Sequence, residues 1–278
     1  MKTIRVLLIG DVVGNTGRTM LQKHIHRIQA DLSIDAVIAN GENSSSQGRG
    51  ITPRIAGSFK HNGVNVVTTG NHVWRKKEIY AYLASNTDVL RPANFPADTP
   101  GVGVTTFMCH GSLIGVINLQ GRVFMQDHID CPFRTAKSIL TYLKSKTDII
   151  FVDFHAETTS EKMAMGHFLD GKVSGVVGTH THVQTADERI LPGGTAFITD
   201  LGMVGSLNGM LGMKKEQILD HFLRQMPVKF EVDSSMPVQL NGVCIEVNSA
   251  TGKAIGIERI QVIDTELYIG KDEDDDKQ

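Results

Sequence analysis

Six residues of metal-ligating type stand just beyond short apolar runs in this 278-residue sequence: Asp11, Glu42, Asn71, His155, His180 and His182. Carboxylates, an amide oxygen and imidazoles are donors for hard or borderline divalent ions, and no thiolate belongs to the set. Such a set exceeds the four ligands of a closed zinc site, so two ions sharing a carboxylate account for it better. Taken alone, each residue has an ordinary reading. Asp11 after Gly10 could be a turn or cap residue, Asn71 before His72 turn chemistry, and His180 and His182 a satisfied polar loop. Turn chemistry does not explain why five strand ends all open on a ligand type. His180 and His182 are separated by one residue, so an extended backbone there predicts both rings on one side, within reach of adjacent ions.

The elements that must bring these residues together follow from the hydrophobic pattern. Ile4 to Ile9, Ile34 to Ala39, Val64 to Thr69, Asp148 to Phe154 and Val173 to Val177 are short, β-branched runs, each ending in a polar or glycine-containing loop. Arg18 to Ala30, Pro53 to His61 and Glu161 to Leu169 read as helices, the second opened by Thr52 as cap and Pro53 at the first helical position. This is α/β grammar, and in open α/β sheets ligands gather beyond the carboxyl ends of the strands. Gly101 to Leu119, Ala196 to Thr199, Val243 to Val247 and Ile255 to Val262 read as strands without long helices between them, which predicts a mixed sheet or a second sheet packed on the first.

Composition narrows the class. With 41% hydrophobic residues the chain can bury a large core, and 28 Lys and Arg against 30 Asp and Glu leave a charge of −2, with no global pull toward DNA or an anionic membrane. Cys109, Cys131 and Cys244 are scattered and odd in number, which fits a reducing cytoplasm rather than a disulfide framework. The apolar run after Met1 and Lys2 breaks at Gly10 and Asp11, too soon for a secretion signal, and no run reaches the ~20 apolar residues of a membrane span. One domain over residues 1–270 is expected, followed by a solvated acidic tail at 271–278.

Gly10-Asp11, Gly41-Glu42-Asn43, Gly70-Asn71-His72, His155 and Gly178-Thr179-His180-Thr181-His182 resemble the motif series of the calcineurin-like metallophosphoesterases, in order and in loop placement. More narrowly, the chain resembles the YmdB-like bacterial phosphoesterases up to the tail, including Gly121-Arg122-Val123-Phe124-Met125. Val13 stands where the broad superfamily has a histidine, and Glu42 where it has a bridging aspartate; the narrower family shows both changes. The resemblance implies an α/β/β/α sandwich of two packed mixed sheets flanked by helices. It implies Asp11, Asn43 and His182 at one ion, Asn71, His155 and His180 at the other, and Glu42 bridging. Asn43 could instead orient the bridging carboxylate.

The resemblance further implies hydrolysis of phosphodiesters, including 2′,3′-cyclic nucleotides or related RNA diesters, with two divalent transition-metal ions, whereas the spacing itself points only to phosphoryl chemistry. The donor set allows iron, manganese, zinc or cobalt, and the resemblance favours iron or manganese. His72 is the expected general acid: if Asn71 faces a metal, the next side chain projects elsewhere and can approach a leaving oxygen. Small symmetric oligomers are common in this class. Two rivals compete with this reading. Gly10, Gly14 and Gly17 follow a strand, but their spacing is not that of a dinucleotide-binding loop and Asp11 would repel a pyrophosphate. A regulatory protein using the metals structurally and acting through partners is the other, separable by turnover of a generic diester.

Overall fold

The structure, a computed structural model, describes residues 2–270; the expected acidic tail lies outside the described residues. Its first part comprises β1 (Thr3–Ile9), β2 (Asp11–Val12), α1 (Gly14–Asp31), β3 (Ala36–Asn40), α2 (Pro53–His61), β4 (Val66–Thr68), a 3-10 turn at Val73–Arg75 and α3 (Ile79–Ser85). There follow β5 (Val104–Cys109), β6 (Ser112–Gln120), α4 (Pro132–Leu143), β7 (Ile149–His155), α5 (Thr159–Leu169), β8 (Gly175–Thr179), β9 (Arg189–Ile190) and β10 (Ala196–Ile198). The last elements are β11 (Met203–Ser206), α6 (Lys215–Arg224), β12 (Val238–Asn248) and β13 (Ala254–Asp264).

Among the described residues the strands form two mixed sheets. One runs β2-β11-β12-β1-β3-β4 with β13 also on β12, and the other runs β5-β6-β7-β8-β10-β9. Strand alternation explains how they stack. Ile4, Val6 and Leu8 of β1, with Val243, Ile245 and Val247 of β12, face Ile114, Val116, Phe151, Val177 and Ile198 of the other sheet. The opposite face of β1 and β3, through Leu7, Ile9, Val37 and Ala39, packs on Met20, Leu21 and Ile25 of α1 and Ile55 and Phe59 of α2. Likewise Ile150, Val152 and Phe154 of β7 pack on Leu140 and Leu143 of α4 and Met165 and Leu169 of α5. Burial on both faces is why these strands read as continuous apolar runs. The result is the expected α/β/β/α sandwich.

Thr52 caps α2 through its side chain, which accepts from the Ile55 amide, with Pro53 in the first turn as predicted. The expectation of no long helix between the late strands is corrected by α6, ten residues between β11 and β12. None of its residues is buried, so core periodicity gave no reason to place it. The sequence reading also lacks α4, whose Ala136, Leu140 and Leu143 recur at helical spacing behind Pro132.

His24 sits on α1 with Nε2 2.7 Å from Asp264 Oδ2 at the end of β13, and Lys23 Nζ lies 2.6 Å from the same oxygen. The Lys23 hydrogen bond, against the opposing effect of burial and helped by His24 and the Glu266 amide, holds the Asp264 carboxyl down to about 2. A depressed carboxylate stabilises the fold above its unfolded pKa and loses that contribution as pH falls through the folded one. Asp264→Asn is therefore expected to lower stability by on the order of 1 kcal/mol at pH 7. Denaturant titrations should show the gap from the native chain closing between pH 5 and pH 2; a gap independent of pH would refute this ion pair.

Candidate metal centre

The ends of β1, β3 and β4 in one sheet and of β7 and β8 in the other lie at one rim of the sandwich, and there the structure assembles the ligand-type residues. Glu42 and Asn43 follow β3, Asn71 follows β4, His155 is the final residue of β7 rather than a loop residue, and His180 directly follows β8. Asp11 opens β2, which continues beyond the β1 end in the same direction and pairs with β11. Gly70 makes room for this convergence, since a Cβ there would stand 2.1 Å from Cδ2 of His155.

His155 Nε2 is the hub. It lies 3.0 Å from Asn71 Oδ1, 3.1 Å from Glu42 Oε1 and 3.0 Å from His180 Nδ1. Its other nitrogen, Nδ1, is 2.9 Å from Thr179 Oγ1, whose own proton goes to Asp153 Oδ1 at 2.7 Å. Thr179 thus accepts from Nδ1–H, so in the neutral ring the Nε2 lone pair faces an amide oxygen, a carboxylate and a second imidazole nitrogen. Four acceptor atoms converging without a donor call for a cation among them. Glu42, His155 and His180 form a group whose ligand atoms all lie within 4.8 Å of one another.

On the other side of His155, Asp11 Oδ1 is 3.9 Å from His155 Nδ1 and 3.8 Å from His182 Nε2. His182 Nδ1 meets the Leu211 carbonyl at 3.0 Å, which fixes that nitrogen as the donor and leaves Nε2 with its lone pair toward Asp11. Asp11 Oδ2 accepts from the His180 amide, but Oδ1 is buried without a hydrogen-bond partner, and so is Asn43 Oδ1. Asn43 Nδ2 donates to the Gly48 carbonyl, so its amide is held with the orphaned oxygen as the free end. Buried acceptors without donors are costly, and a divalent ion satisfies them. The residues present therefore fit the two-ion centre that the resemblance implies.

The cluster draws positive charge to itself, whether as a metal ion or as a second proton on His155. Burial pushes His155 down, but the Glu42 and Asp11 carboxylates outweigh it and raise the ring to about 9, whereas burial and the His155 charge hold His180 down to about 3. Burial raises Asp11 to about 6 against the pull of His182 and His155. Glu42, despite the same burial, is held well below the usual range by His155 and His72.

Two expectations about side-chain direction are corrected. His180 and His182 do not share one side of an extended segment: φ is +95° at the first and +63° at the second. The left-handed turn sends His180 to the His155 Nε2 side and His182 toward Asp11. His72 does not project away from the cluster either. Its amide donates to Glu42 Oε2 at 3.2 Å, and its Nδ1 lies 3.3 Å from both Glu42 Oε1 and Asn43 Nδ2.

Sequence reasoning missed the supporting network. Asp153, buried, accepts from Thr68, Thr179 and Asn40 and anchors His155 through Thr179. Its signal was an acidic residue two positions before His155 in an apolar strand, hence on the same face. Lys162 on α5, also buried, pairs with Asp200 at 2.6 Å, and Asp200 accepts from the amide and hydroxyl of Thr181 between the two histidines. Glu157, 3.0 Å from His180 Nε2, was missed too. A pocket of about 350 Å³ opens beside the cluster, lined by Asn71, His72, His180, Arg49, Arg75 and Phe124 among others.

Comparison with known proteins agrees with this architecture. The chain is 45% identical over 265 residues to a 2′,3′-cyclic-nucleotide 2′-phosphodiesterase of Bacillus subtilis (strain 168), covering 95% of this chain and 99% of that protein. A phosphatase structure from Mycoplasma pneumoniae superposes with a TM-score of 0.89 at 36% identity, covering 95% of each chain. A hypothetical protein from Thermus thermophilus superposes with a TM-score of 0.86 at 38% identity, covering 94% of this chain and all of that one. Residues 7–260 match the family model described as YmdB-like protein, and the chain belongs to that family of metallophosphoesterases.

Proposed function

We propose that this chain is a dinuclear metal-dependent phosphodiesterase acting on 2′,3′-cyclic nucleotides or related nucleotide and RNA diesters. The observation that carries the reading is the convergence of acceptors on His155 Nε2, with Asp11 Oδ1 and Asn43 Oδ1 buried and unpartnered nearby. Asn71, His155 and His180 would hold one ion, Asp11, Asn43 and His182 the other, and Glu42 both. Oxygen and nitrogen donors without thiolate allow iron, manganese, zinc or cobalt, and the family resemblance favours iron or manganese.

Two divalent ions bound there supply Lewis acidity at the phosphoryl oxygens and a hydroxide nucleophile near neutral pH. The chain's own work is positional and protonic. Asp153 and Thr179 fix the His155 tautomer, and the Lys162–Asp200 pair holds Thr181 and with it the turn that parts His180 from His182. His72 Nδ1 is engaged by Glu42 and Asn43, so a proton for the leaving oxygen is carried on Nε2. Donating it completes cleavage of one ester P–O bond, and the freed oxygen leaves as a hydroxyl.

No helix among the described residues is long and apolar enough to cross a membrane. Three unpaired cysteines suit a reducing cytoplasm, and the near-neutral charge gives no basis for stable DNA binding.

The Bacillus relative's name implies opening of the 2′ ester, so adenosine 2′,3′-cyclic phosphate with manganese-loaded protein is expected to yield the 3′-monophosphate. Chromatography of the product checks this. Full metal content with no turnover of this substrate or of bis(p-nitrophenyl) phosphate would reject the enzyme reading in favour of a regulatory metal protein.

A further inference from the structure

Phe124 belongs to a segment, Gly121 to Met125, that the proposed reaction does not use. It is 86% exposed and stands in the left-handed region with φ +61°. Met125 N donates to the Arg122 carbonyl, so Val123 and Phe124 are the central residues of a turn. The second central position of a turn, when its φ is positive, belongs to glycine or asparagine; a β-carbon and a phenyl ring there oppose local preference.

The turn is nonetheless firmly held. Glu161 at the start of α5 accepts from the Arg122 amide at 3.1 Å and 3.2 Å and from the Val123 amide at 3.2 Å. Gly121 donates to the carbonyl of His155 itself, tying the turn to the hub of the metal centre. The ring so displayed lines the same pocket as Asn71, His72 and His180, together with the cationic Arg49 and Arg75. An apolar ring held in the open by a strained, anchored turn, beside a phosphoryl centre and two guanidinium groups, is suited to a ligand that is anionic at one end and flat and aromatic at the other.

The geometry points to a nucleobase subsite with Phe124 as its stacking platform, an inference that rests on the phosphodiesterase reading and specifies how its substrate is recognised. The ring binds the base in ground state and transition state alike, so it lowers KM and leaves kcat alone. Stacking is tolerant of base identity, which suits an enzyme that accepts any nucleotide with the right diester.

The test compares two five-membered cyclic diesters on the full, metal-loaded chain: adenosine 2′,3′-cyclic phosphate, and glycerol 1,2-cyclic phosphate, which lacks a base. Phe124→Asn removes the ring and keeps a residue at home in the left-handed turn. It is expected to raise KM roughly 5- to 150-fold on the nucleotide, the range for loss of one base stack, with kcat and the glycerol KM unchanged. Phe124→Trp should restore the nucleotide KM. Its indole emission, read against the wild-type background of Trp74, should be quenched by adenosine 3′-monophosphate. An equal change on both diesters, or none on either, would overturn the platform. If the wild-type chain turned over neither diester, the phosphodiesterase reading would have failed. The fluorescence titration would then decide the subsite alone, quenching supporting it and a flat trace rejecting it.

Discussion

Glu42→Gln is expected to strip the protein of both metal ions, whereas Asp11→Asn removes only one. The glutamine keeps the shape of a side chain that is 1% exposed, so what changes is charge. Glu42 Oε1 stands between His155 Nε2 at 3.1 Å and His72 Nδ1 at 3.3 Å, and Oε2 receives the His72 amide. It is therefore the carboxylate through which the His155 side of the cluster and the Asn43–His72 side communicate. Asp11 touches the cluster from one flank, beside His182. Altering groups that merely orient metal ligands costs roughly 10- to 100-fold in affinity or activity; removing a shared anionic ligand should exceed that on any diester. Elemental analysis after purification checks the prediction, with circular dichroism to show that the variant is folded. Two ions per chain and undiminished turnover in Glu42→Gln would remove Glu42 from the bridging role.

The parts of this centre that were legible in the sequence are those that lie at strand ends. A parallel strand is buried on both faces, so its end is announced by the first polar residue. When several such ends converge at one rim, the residue types found there state the chemistry. Asp11, Glu42, Asn71, His155 and His180 were legible for that reason. Asp200 shows the limit of the rule: it too follows a buried strand, yet its carboxylate turns to Lys162 and Thr181 and serves as support. Only the pairing of α5 with that strand end decides this, and a buried lysine on a helix of weak amphipathic pattern does not announce its partner. The expected geometry of the paired histidines was wrong, because φ is positive at both His180 and His182, where the loop closes on Leu211 and Asp200. In the fold, helices that face a sheet with a clear apolar stripe could be read. The exposed α6 could not, since it buries nothing that would impose a pattern.

His72→Ala should retain both metal ions and still lose roughly 10²- to 10⁴-fold on a nucleotide diester, the usual contribution of a general acid. The prediction rests on the difference between holding an ion and delivering a proton. His72 Nδ1 reaches the cluster only through Glu42 Oε1 and Asn43 Nδ2, and its ring lines the pocket next to Asn71. Loss of a ligand impairs every substrate alike, because the metals act on the phosphoryl group whatever leaves it. Loss of a proton donor impairs only substrates whose leaving oxygen needs one. A ribose alkoxide is a poor leaving group; p-nitrophenolate departs readily without protonation. The same variant should therefore lose much less on bis(p-nitrophenyl) phosphate, and the ratio of the two losses is the measurement that matters. His72 also contacts Glu42 directly, so metal content must be determined on the same preparation. Equal losses on both substrates with the metals intact would make His72 a group that positions the phosphate, and depletion of metal would make it a ligand. A large loss confined to the nucleotide substrate is the outcome that the placement of its ring predicts.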